Sequence, residues 1–187
     1  SDVLTDDRNT AILVGPGLGR HAAARQRLAT ALADPVPAVV DADGLMLMGE
    51  RLLAERAAPV IATPHDGELA ALEAIYGCAG TGGKVDRARA LAAASGMVVV
   101  AKGPDTVVAA PDGRLAIAPR AASWLSVAGT GDVLAGIVAS RLATGVEAFD
   151  AACEGVWLHG EAARLRGPAF TAGDLARTVP DALAACL

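Results

Sequence analysis

Aromatic residues, basic clusters and long apolar runs are scarce in this sequence. Phe, Trp and Tyr make up 3% of the 187 residues, whereas apolar residues as a whole make up 53%. The core must therefore be built from Ala, Val, Leu and Ile, which suits helices packed closely on a sheet. Every apolar stretch is interrupted well before the roughly 18 residues of a membrane-spanning helix, and no signal peptide opens the chain. We expect a soluble, cytoplasmic protein without a membrane partner.

The cysteines and the charge exclude further classes of protein. Cys78, Cys153 and Cys186 are widely spaced and form no Cys-x-x-Cys pair. This pattern predicts reduced cysteines in the core rather than a disulfide framework or a zinc site. The formal charge is −5, and Lys and Arg are scattered. Nucleic-acid binding is disfavoured because it requires dense basic patches, so a small molecule is the expected ligand.

Strand-like and helix-like segments alternate through the first half of the chain. Four short apolar runs are typical of parallel strands covered on both faces: Ala11–Gly15, Ala38–Asp41, Pro59–Ala62 and Met97–Ala101. Helical periodicity marks four segments that alternate with them: His21–Ala33, Leu45–Arg56, Glu68–Tyr76 and Val85–Ser95. This alternation predicts an α/β fold with a mostly parallel central sheet.

The second half of the chain has a different pattern. Thr106–Ala110 and Leu115–Ala118 flank the turn sequence Pro111-Asp112-Gly113, which predicts an antiparallel hairpin at the sheet edge. Three successive helices are then predicted: Asp132–Thr144, Ala148–Arg166 and Thr171–Ala185. Thr171, with Asp174 three residues later, is the expected cap of the last helix.

Glycine-rich or polar motifs directly follow the four predicted parallel strands: Gly15–Gly19 (GPGLG), Asp41–Gly44 (DADG), Thr63–Glu68 (TPHDGE) and Lys102–Thr106 (KGPDT). Because the carboxyl ends of parallel strands meet at one edge of a sheet, where open α/β folds bind ligands, we expect these motifs to form one site. The GPGLG loop lacks Gly-x-Gly-x-x-Gly spacing and no P-loop lysine motif occurs. A Rossmann dehydrogenase is therefore disfavoured.

A fifth motif, Gly129-Thr130-Gly131-Asp132, precedes the first C-terminal helix. Two glycines allow close approach of the backbone, and the first turn of a helix offers free N–H groups to an anion. Asp132 lies where the positive end of the helix dipole stabilises a negative charge. The alternative is that Asp132 only caps the helix.

The remaining polar residues have structural as well as functional interpretations. Lys102 suits a phosphate group, but it could also be a solvated residue at a strand end. Glu68 could hold a magnesium-bound water, or it could complete a capping box with Thr63. Asp43 could cap a helix or share a site with the neighbouring Asp41. His159, within a predicted helix, is more typical of core packing than of ligand binding.

Six segments, read in chain order, carry a family resemblance: Gly15–Gly19 (GPGLG), Asp41–Leu45 (DADGL), Thr63–Glu68 (TPHDGE), Lys102–Thr106 (KGPDT), Ala128–Gly136 (AGTGDVLAG) and Gly155–Ala162 (GVWLHGEA). Together they resemble the NAD(P)H-hydrate dehydratase family of the ribokinase-like superfamily. Kinases of this superfamily often have a Pro-Asn-x-x-Glu turn, in which His65 replaces the Asn here. That replacement and the GPGLG loop resemble the dehydratase branch more than the vitamin-pyrimidine or thiazole kinases. The resemblance implies a three-layer αβα sandwich, with residues 1–187 as a single domain.

The resemblance implies a lyase that repairs hydrated NADH and NADPH. A nucleotide phosphorylates the hydroxyl on C6 of the hydrated nicotinamide ring, and elimination then restores the ring double bond. The alanine-rich composition favours ADP, which bacterial members use, over ATP. Mg²⁺ is the implied cofactor and a homotetramer the implied assembly. Two alternatives stay open: a small-molecule kinase of the same fold, and a nucleotide-binding chain without activity.

The family resemblance also implies roles for individual residues. The catalytic group comprises Asp132, which deprotonates the hydroxyl, and the backbone N–H groups that hold the phosphoryl group, from Gly129, Thr130 and Gly131. The nucleotide is expected to contact Lys102, Gly103, Pro104, Asp105, Thr106 and Gly131. The hydrated cofactor is expected to contact Gly17, Gly19, His65 and Asp132. Glu68 supports Mg²⁺ through water.

The chain departs from the family pattern in two places. The polar segment Ser1–Thr10 immediately precedes a strand expected to be central, so the N-terminal part of the family domain, with part of the substrate wall, is expected to be missing. Arg120–Ser126 (RAASWLS) lacks the Asn and Gly expected before the glycine turn. The family's substrate contacts near that turn are therefore not carried over to this segment.

Overall fold

The computed structural model describes residues 6, 8–78 and 82–186. The strands in these ranges are β1 Ile12–Val14, β2 Ala38–Val40, β3 Val60–Ala62, β4 Val98–Ala101, β5 Val107–Ala109 and β6 Leu115–Ile117. The α-helices are α1 Ala22–Ala33, α2 Asp43–Met46, α3 Asp66–Ile75, α4 Lys84–Ser95, α5 Thr130–Ala143, α6 Ala148–Arg166 and α7 Ala172–Ala184. A short 3₁₀ helix, Ser123–Ser126, precedes α5.

The six described strands form one sheet in the order of the sequence. Strands β1 to β4 are parallel, whereas β5 and β6 are antiparallel to their neighbours, which confirms the predicted edge hairpin. Parallel neighbours need crossover connections, and crossovers of one hand place all the linking helices on the same face. Helices α1, α3 and α4 accordingly share one core with the sheet.

Strand residues alternate between two cores. In β3, Val60 and Ala62 lie in the core with α1, α3 and α4, whereas Ile61 lies in the core with α5 and α6. This period of two is that of a strand covered on both faces. Helix α7 packs outside the second core, against α5 and α6. The predicted mostly parallel sheet and three-layer αβα sandwich are confirmed.

The predicted helix Leu45–Arg56 is wrong beyond its first residues. Helix α2 is a single turn, and the chain continues as i to i+3 turns, in which Leu52 donates to Gly49 and Arg56 donates to Leu53, both at 3.0 Å. Gly49 disfavours a continued helix. The Arg56 guanidinium instead donates to three carbonyls in the last turn of α1 and the connection to β2: Leu32, Asp34 and Val36. It thereby satisfies backbone acceptors that would otherwise be unpaired.

The other helices are close to their predicted bounds. Helices α3 and α5 each begin two residues earlier than predicted, at Asp66 and Thr130, whereas α6 has the predicted bounds. Thr171 and Asp174 form the predicted capping box of α7. Within the described ranges, no helix has both the length and the apolar content that crossing a membrane requires.

The cysteine prediction is correct for bonding and partly wrong for position. Cys78, Cys153 and Cys186 are all free thiols. Cys78 and Cys153 are half-buried, but Cys186 is exposed near the end of the chain rather than in the core. Burial raises the pKa of Cys78, and raises the pKa of Cys153 to about 11.

Candidate active site

Four loops meet at the carboxyl ends of the parallel strands. Gly15, Asp41, Thr63 and Lys102 are the first residues after β1, β2, β3 and β4. They lie together at one edge of the sheet, as predicted. The start of α5 reaches the same place, since a Cβ atom on Gly131 would lie 3.5 Å from Lys102 Nζ.

Lys102, Asp41 and Thr63 form a polar network below this edge. Lys102 Nζ lies 2.8 Å from Asp41 Oδ1, and Thr63 Oγ1 donates to the same oxygen at 2.8 Å. Asp41 and Thr63 are 1% and 0% exposed, so their polar atoms depend on protein partners. Lys102 is therefore not merely a solvated strand-end residue. Thr63 does not cap α3.

Glu68 approaches Lys102 from the first turn of α3. Its Oε2 atom lies 3.9 Å from Lys102 Nζ and accepts the backbone N–H of His65 at 2.8 Å. The His65 Nδ1 atom accepts the N–H groups of Gly67 and Glu68 at 3.0 and 3.3 Å. His65 thus takes the capping position that the structural interpretation gave to Thr63. The capping box and a role in the site are compatible, because the box fixes the Glu68 carboxylate beside Lys102.

The glycine turn opens α5 with a left-handed residue. Gly129 is the N-cap residue at φ +87°, a conformation that glycine adopts without strain. The N–H of Thr130 donates to Val127 at 3.3 Å, and the first i to i−4 bond of the helix runs from Val133 to Gly129. The N–H groups of Gly131 and Asp132 precede that bond and have no partner on α5. They are available to an anion.

Asp132 presents an unengaged carboxylate at this turn. Gly129 occupies the N-cap position, so the interpretation of Asp132 as the cap is wrong. The side chain is exposed. Among the described residues, its carboxylate takes part in no hydrogen bond or ion pair, in contrast to the other carboxylates of the site.

The glycine loop after β1 is held by Asp43. Gly17 and Gly19 have φ values of +69° and +76°. Gly19 N–H donates to Asp43 Oδ2 at 3.0 Å, and Arg20 Nε donates to Asp43 Oδ1 at 2.7 Å. These bonds, chiefly the one from Arg20, hold the pKa of Asp43 below its usual range. Asp43 therefore stabilises the loop and does not cap α2.

Ala42 separates the two carboxylates of the DADG motif. It has φ +49° and ψ −125°, a strained combination for a residue with a Cβ atom. The kink directs Asp41 to Lys102 and Asp43 to the glycine loop. The two carboxylates therefore do not form the shared site that their spacing suggested.

A cavity of about 660 Å³ lies beside the glycine turn, between the β5–β6 hairpin, the segment after it, and α6. Its walls are mostly apolar, with Leu125 and Trp157 among them. Thr106, at the end of the KGPDT loop, also lines it. Three charged side chains complete the lining: Arg120, Glu161 and Arg164. Such a cavity has the size and composition typical of a site for part of a small ligand.

A family model described as NAD(P)H-hydrate dehydratase matches residues 2–184. The chain belongs to the NAD(P)H-hydrate dehydratase family.

Two relatives illustrate the extent of the dehydratase similarity. The bifunctional NAD(P)H-hydrate repair enzyme Nnr of Mycobacterium leprae (strain TN) is 40% identical over 168 residues, which cover 87% of this chain and 34% of that protein. The ADP-dependent (S)-NAD(P)H-hydrate dehydratase of Neisseria meningitidis serogroup B (strain ATCC BAA-335 / MC58) is 40% identical over 157 residues, which cover 81% of this chain and 53% of that protein. The chain therefore spans about half, or less, of the length of these relatives.

The fold of this dehydratase-family chain is also found in a solved structure of the Bacillus subtilis ADP/ATP-dependent NAD(P)H-hydrate dehydratase, co-crystallised with ATP/Mg²⁺. The TM-score is 0.82 and the sequence identity is 29%. The similarity covers 94% of this chain and 64% of that structure. The chain therefore has the fold of that dehydratase. A ribokinase-like superfamily protein of Enterococcus faecalis V583 has the same fold, with a TM-score of 0.78 and 24% identity.

The oxygen and nitrogen donors of the candidate site decide whether it fits the Mg²⁺ that the family resemblance implies. The described residues contain no group of three or more His, Cys, Asp or Glu side chains that could hold a metal ion. Mg²⁺, however, is often bound through only one or two carboxylates, with water and substrate phosphates as its other ligands. Glu68 fits this mode, because it is a single carboxylate whose Oε1 atom accepts no backbone N–H; its neighbour there is His65 Nε2, at 3.5 Å.

Lys84 anchors the KGPDT loop of this family site. Its Nζ atom lies 3.0 Å from Asp105 Oδ1 and donates to the Asp105 carbonyl at 3.0 Å. The hydrogen bond from Lys84 is the main cause of the lowered pKa of Asp105. Thr106 Oγ1 donates to Gly103 O at 3.2 Å within the loop. The loop is thus fixed from α4 on one side and extends to the cavity on the other.

His159 is buried, as predicted, but it also contacts the glycine turn. It is 9% exposed, and its Nε2 atom lies 2.9 Å from Thr130 O. Burial lowers the pKa of His159 to about 4. At neutral pH the ring is therefore neutral, and Nε2 carries the proton because a carbonyl only accepts. The same side chain lines the cavity.

Sequence reasoning missed Lys84, the cavity and the role of Asp41 in holding Lys102. Asp41 stood in a motif, but its partner lies 61 residues away. Lys84 begins a helix and follows a glycine-rich segment, which gives no sign of its contact with Asp105. The cavity is lined by the run Ala116–Ala122 together with residues from distant elements such as α6, so no one local motif marks it.

Proposed function

We propose that the chain carries the site of an ADP-dependent (S)-NAD(P)H-hydrate dehydratase. One observation carries this proposal: an ammonium group, free helix N–H groups and an unengaged carboxylate meet at the junction of Lys102, Gly131 and Asp132. Phosphoryl transfer depends mainly on positioning and on stabilising charge. These three groups would supply a phosphate anchor, donors for the moving phosphoryl group and a base.

The nucleotide would lie along the KGPDT loop. Thr106, at one end, lines the cavity, whereas Lys102, at the other, lies beside Gly131. The loop therefore extends from the mostly apolar cavity to the glycine turn, whose N–H groups are available to an anion. The wall with Trp157 suits a purine ring, which stacks well on aromatic surface. The phosphates would extend toward Lys102, and Asp41 would keep the ammonium group in place.

The hydrated nicotinamide would enter on the side of the GPGLG loop. Gly17, Gly19 and His65 would contact it, and its C6 hydroxyl would lie against Asp132. The Asp132 carboxylate would accept the hydroxyl proton while the oxygen forms a bond to the terminal phosphorus of ADP. The bond from that phosphorus to AMP would break, and the Gly131 N–H would stabilise charge on the transferred group.

Elimination would follow from the phosphate ester. The ring nitrogen supplies an electron pair, the C6–O bond breaks to release inorganic phosphate, and C5 loses a proton as the ring double bond is restored. Glu68 would hold Mg²⁺ through water, and the bound ion would neutralise charge on the nucleotide phosphates.

The test is recovery of the absorbance of reduced nicotinamide from chemically prepared NADH hydrate, with Mg²⁺ and either ADP or ATP. We expect recovery with ADP, together with one AMP and one phosphate for each NADH. A stable phosphorylated hydroxymethylpyrimidine or thiazole, formed without any recovery of NADH from its hydrate, would instead establish the kinase alternative. Nucleotide binding without any turnover would favour the inactive alternative.

We also propose that the chain assembles as a homotetramer, as its family resemblance implies. Light scattering combined with size-exclusion chromatography would measure the mass of the assembly. A monomeric mass at micromolar concentration would contradict this proposal and leave the proposed reaction unaffected.

A further inference from the structure

His159 is a buried titratable residue to which the proposed reaction assigns no role. It lies within α6, 29 residues from Thr130, and its Nε2–H donates to the Thr130 carbonyl at 2.9 Å. That carbonyl belongs to the peptide group whose N–H is that of Gly131. The hydrogen bond therefore acts on a peptide group of the proposed anion-binding turn.

In this peptide group, the direction of the C=O bond determines the direction of the N–H bond. A peptide group is planar, with C=O and N–H pointing in opposite directions. Fixing the direction of the Thr130 carbonyl thus fixes that of the Gly131 N–H. The hydrogen bond adds to the constraint from the first turn of α5, where Gly129 and Gly131 flank Thr130 and glycine itself restricts the backbone little.

The other contacts of Thr130 support the same constraint. Its Oγ1 atom lies 2.6 Å from Leu125 O and 2.8 Å from Val127 O, so the side chain is tied to the segment before the turn. Leu125 and Val127 precede Thr130 in the chain, whereas His159 adds a contact from α6, the helix that follows α5. Thr130 is itself only 4% exposed, so water does not replace these partners.

We propose that His159 is a positioning residue: it holds the Thr130–Gly131 peptide so that the Gly131 N–H binds the terminal phosphoryl group of the nucleotide. This proposal rests on the proposed function of the glycine turn. It assigns to His159 no contact with the reacting atoms, and it requires an N–H donor at the Nε2 position.

The test compares three variants. His159→Gln keeps an amide N–H at about the reach of Nε2, His159→Asn places its amide only at about the reach of Nδ1, and His159→Leu has no donor. Calorimetry with ADP and AMP is informative because AMP lacks the terminal phosphoryl group. We expect His159→Leu and His159→Asn to weaken ADP binding about tenfold, the usual effect of one lost hydrogen bond, with a much smaller effect on AMP. His159→Gln should restore most of the ADP affinity.

The outcomes separate positioning from general support of the fold. Equal losses of ADP and AMP affinity, or a His159→Gln variant no better than His159→Asn at equal Tm, would overturn the proposal. Should His159→Leu fail to fold, the comparison of Gln with Asn still decides. In an active enzyme, kcat should follow the order of ADP affinities while the KM for the hydrate stays within about twofold. If the variants show the expected ADP and AMP affinities but the wild type does not convert NADH hydrate, the dehydratase function is refuted and the positioning role of His159 is not.

Discussion

Lys102 and Asp41 form an ion pair across the carboxyl ends of β4 and β2, with 2.8 Å between Nζ and Oδ1. Strand β3 lies between these two strands, and its following residue, Thr63, donates to the same carboxylate oxygen. The side chains of Lys102 and Asp41 are 18% and 2% exposed. The pair therefore fixes the position of the Lys102 ammonium group, the proposed phosphate anchor, where few water molecules can contact either side chain.

Asp41→Asn should lower the free energy of unfolding by about 3 kcal/mol, because it removes the nearer of the two buried carboxylates beside Lys102 and leaves only Glu68, at 3.9 Å. It should also weaken ADP binding, since the ammonium group is no longer fixed. Urea denaturation and calorimetry measure the two effects. The matched control is Asp112→Asn, which breaks an exposed pair with Arg114 in the hairpin turn and should cost much less. Equal losses in the two variants would show that the buried pair has no special role.

The convergence of the four loops could be predicted because each motif directly follows an apolar strand. Parallel order then places Gly15, Asp41, Thr63 and Lys102 at one edge without any knowledge of side-chain contacts. The different contacts made by neighbouring residues of one motif could not be predicted. Ala42 turns Asp41 and Asp43 apart through a strained backbone conformation, and no propensity rule anticipates such a residue.

The failed prediction of a helix at 45–56 has the same origin in tertiary contacts. Apolar periodicity is present there, and Leu45, Leu47 and Met48 are buried, but the backbone leaves the helix after one turn. Arg56 stabilises the turns by donating to carbonyls more than twenty residues earlier. Periodicity identifies which residues enter the core, whereas the distant acceptors of Arg56 decide the backbone conformation.

Asp132→Asn should reduce kcat by about 10²- to 10⁴-fold, the usual contribution of a general base, while ADP affinity and Tm stay close to those of the wild type. The fold should tolerate the change because the carboxylate is exposed and engages no other described residue. Steady-state kinetics with NADH hydrate and a thermal unfolding scan measure both quantities. Asp150→Asn is the matched control, since Asp150 is an exposed acidic residue in the first turn of α6. Turnover of Asp132→Asn within a few-fold of the wild type would remove Asp132 from the mechanism.

The nucleotide should change the tryptophan fluorescence of the protein. The chain has two tryptophans, and Trp157 lines the cavity proposed for the base, whereas Trp124 lies in the 3₁₀ helix before α5. Stacking of a purine on the indole ring should quench its emission. We expect titration with ADP to quench the wild type and Trp124→Phe, and to leave Trp157→Phe nearly unchanged. Quenching that survives in Trp157→Phe and disappears in Trp124→Phe would place the base outside the cavity.

The stability of the protein should depend on pH through His159. Its folded-state pKa is lowered to about 4 by burial, whereas the unfolded chain has the ordinary value of 6.5. Between these values the unfolded state binds a proton that the folded state does not, so the free energy of unfolding falls as the pH falls. The contribution is complete above pH 6.5 and diminishes toward pH 4, by roughly 3 kcal/mol in total. Urea denaturation across this range should therefore show a steeper decline for the wild type than for His159→Gln, in which the same carboxylates titrate but the imidazole is absent. Parallel curves for the two proteins would mean that His159 is readily protonated in the folded state. The conclusion that its ring is neutral when it donates to Thr130 would then be wrong.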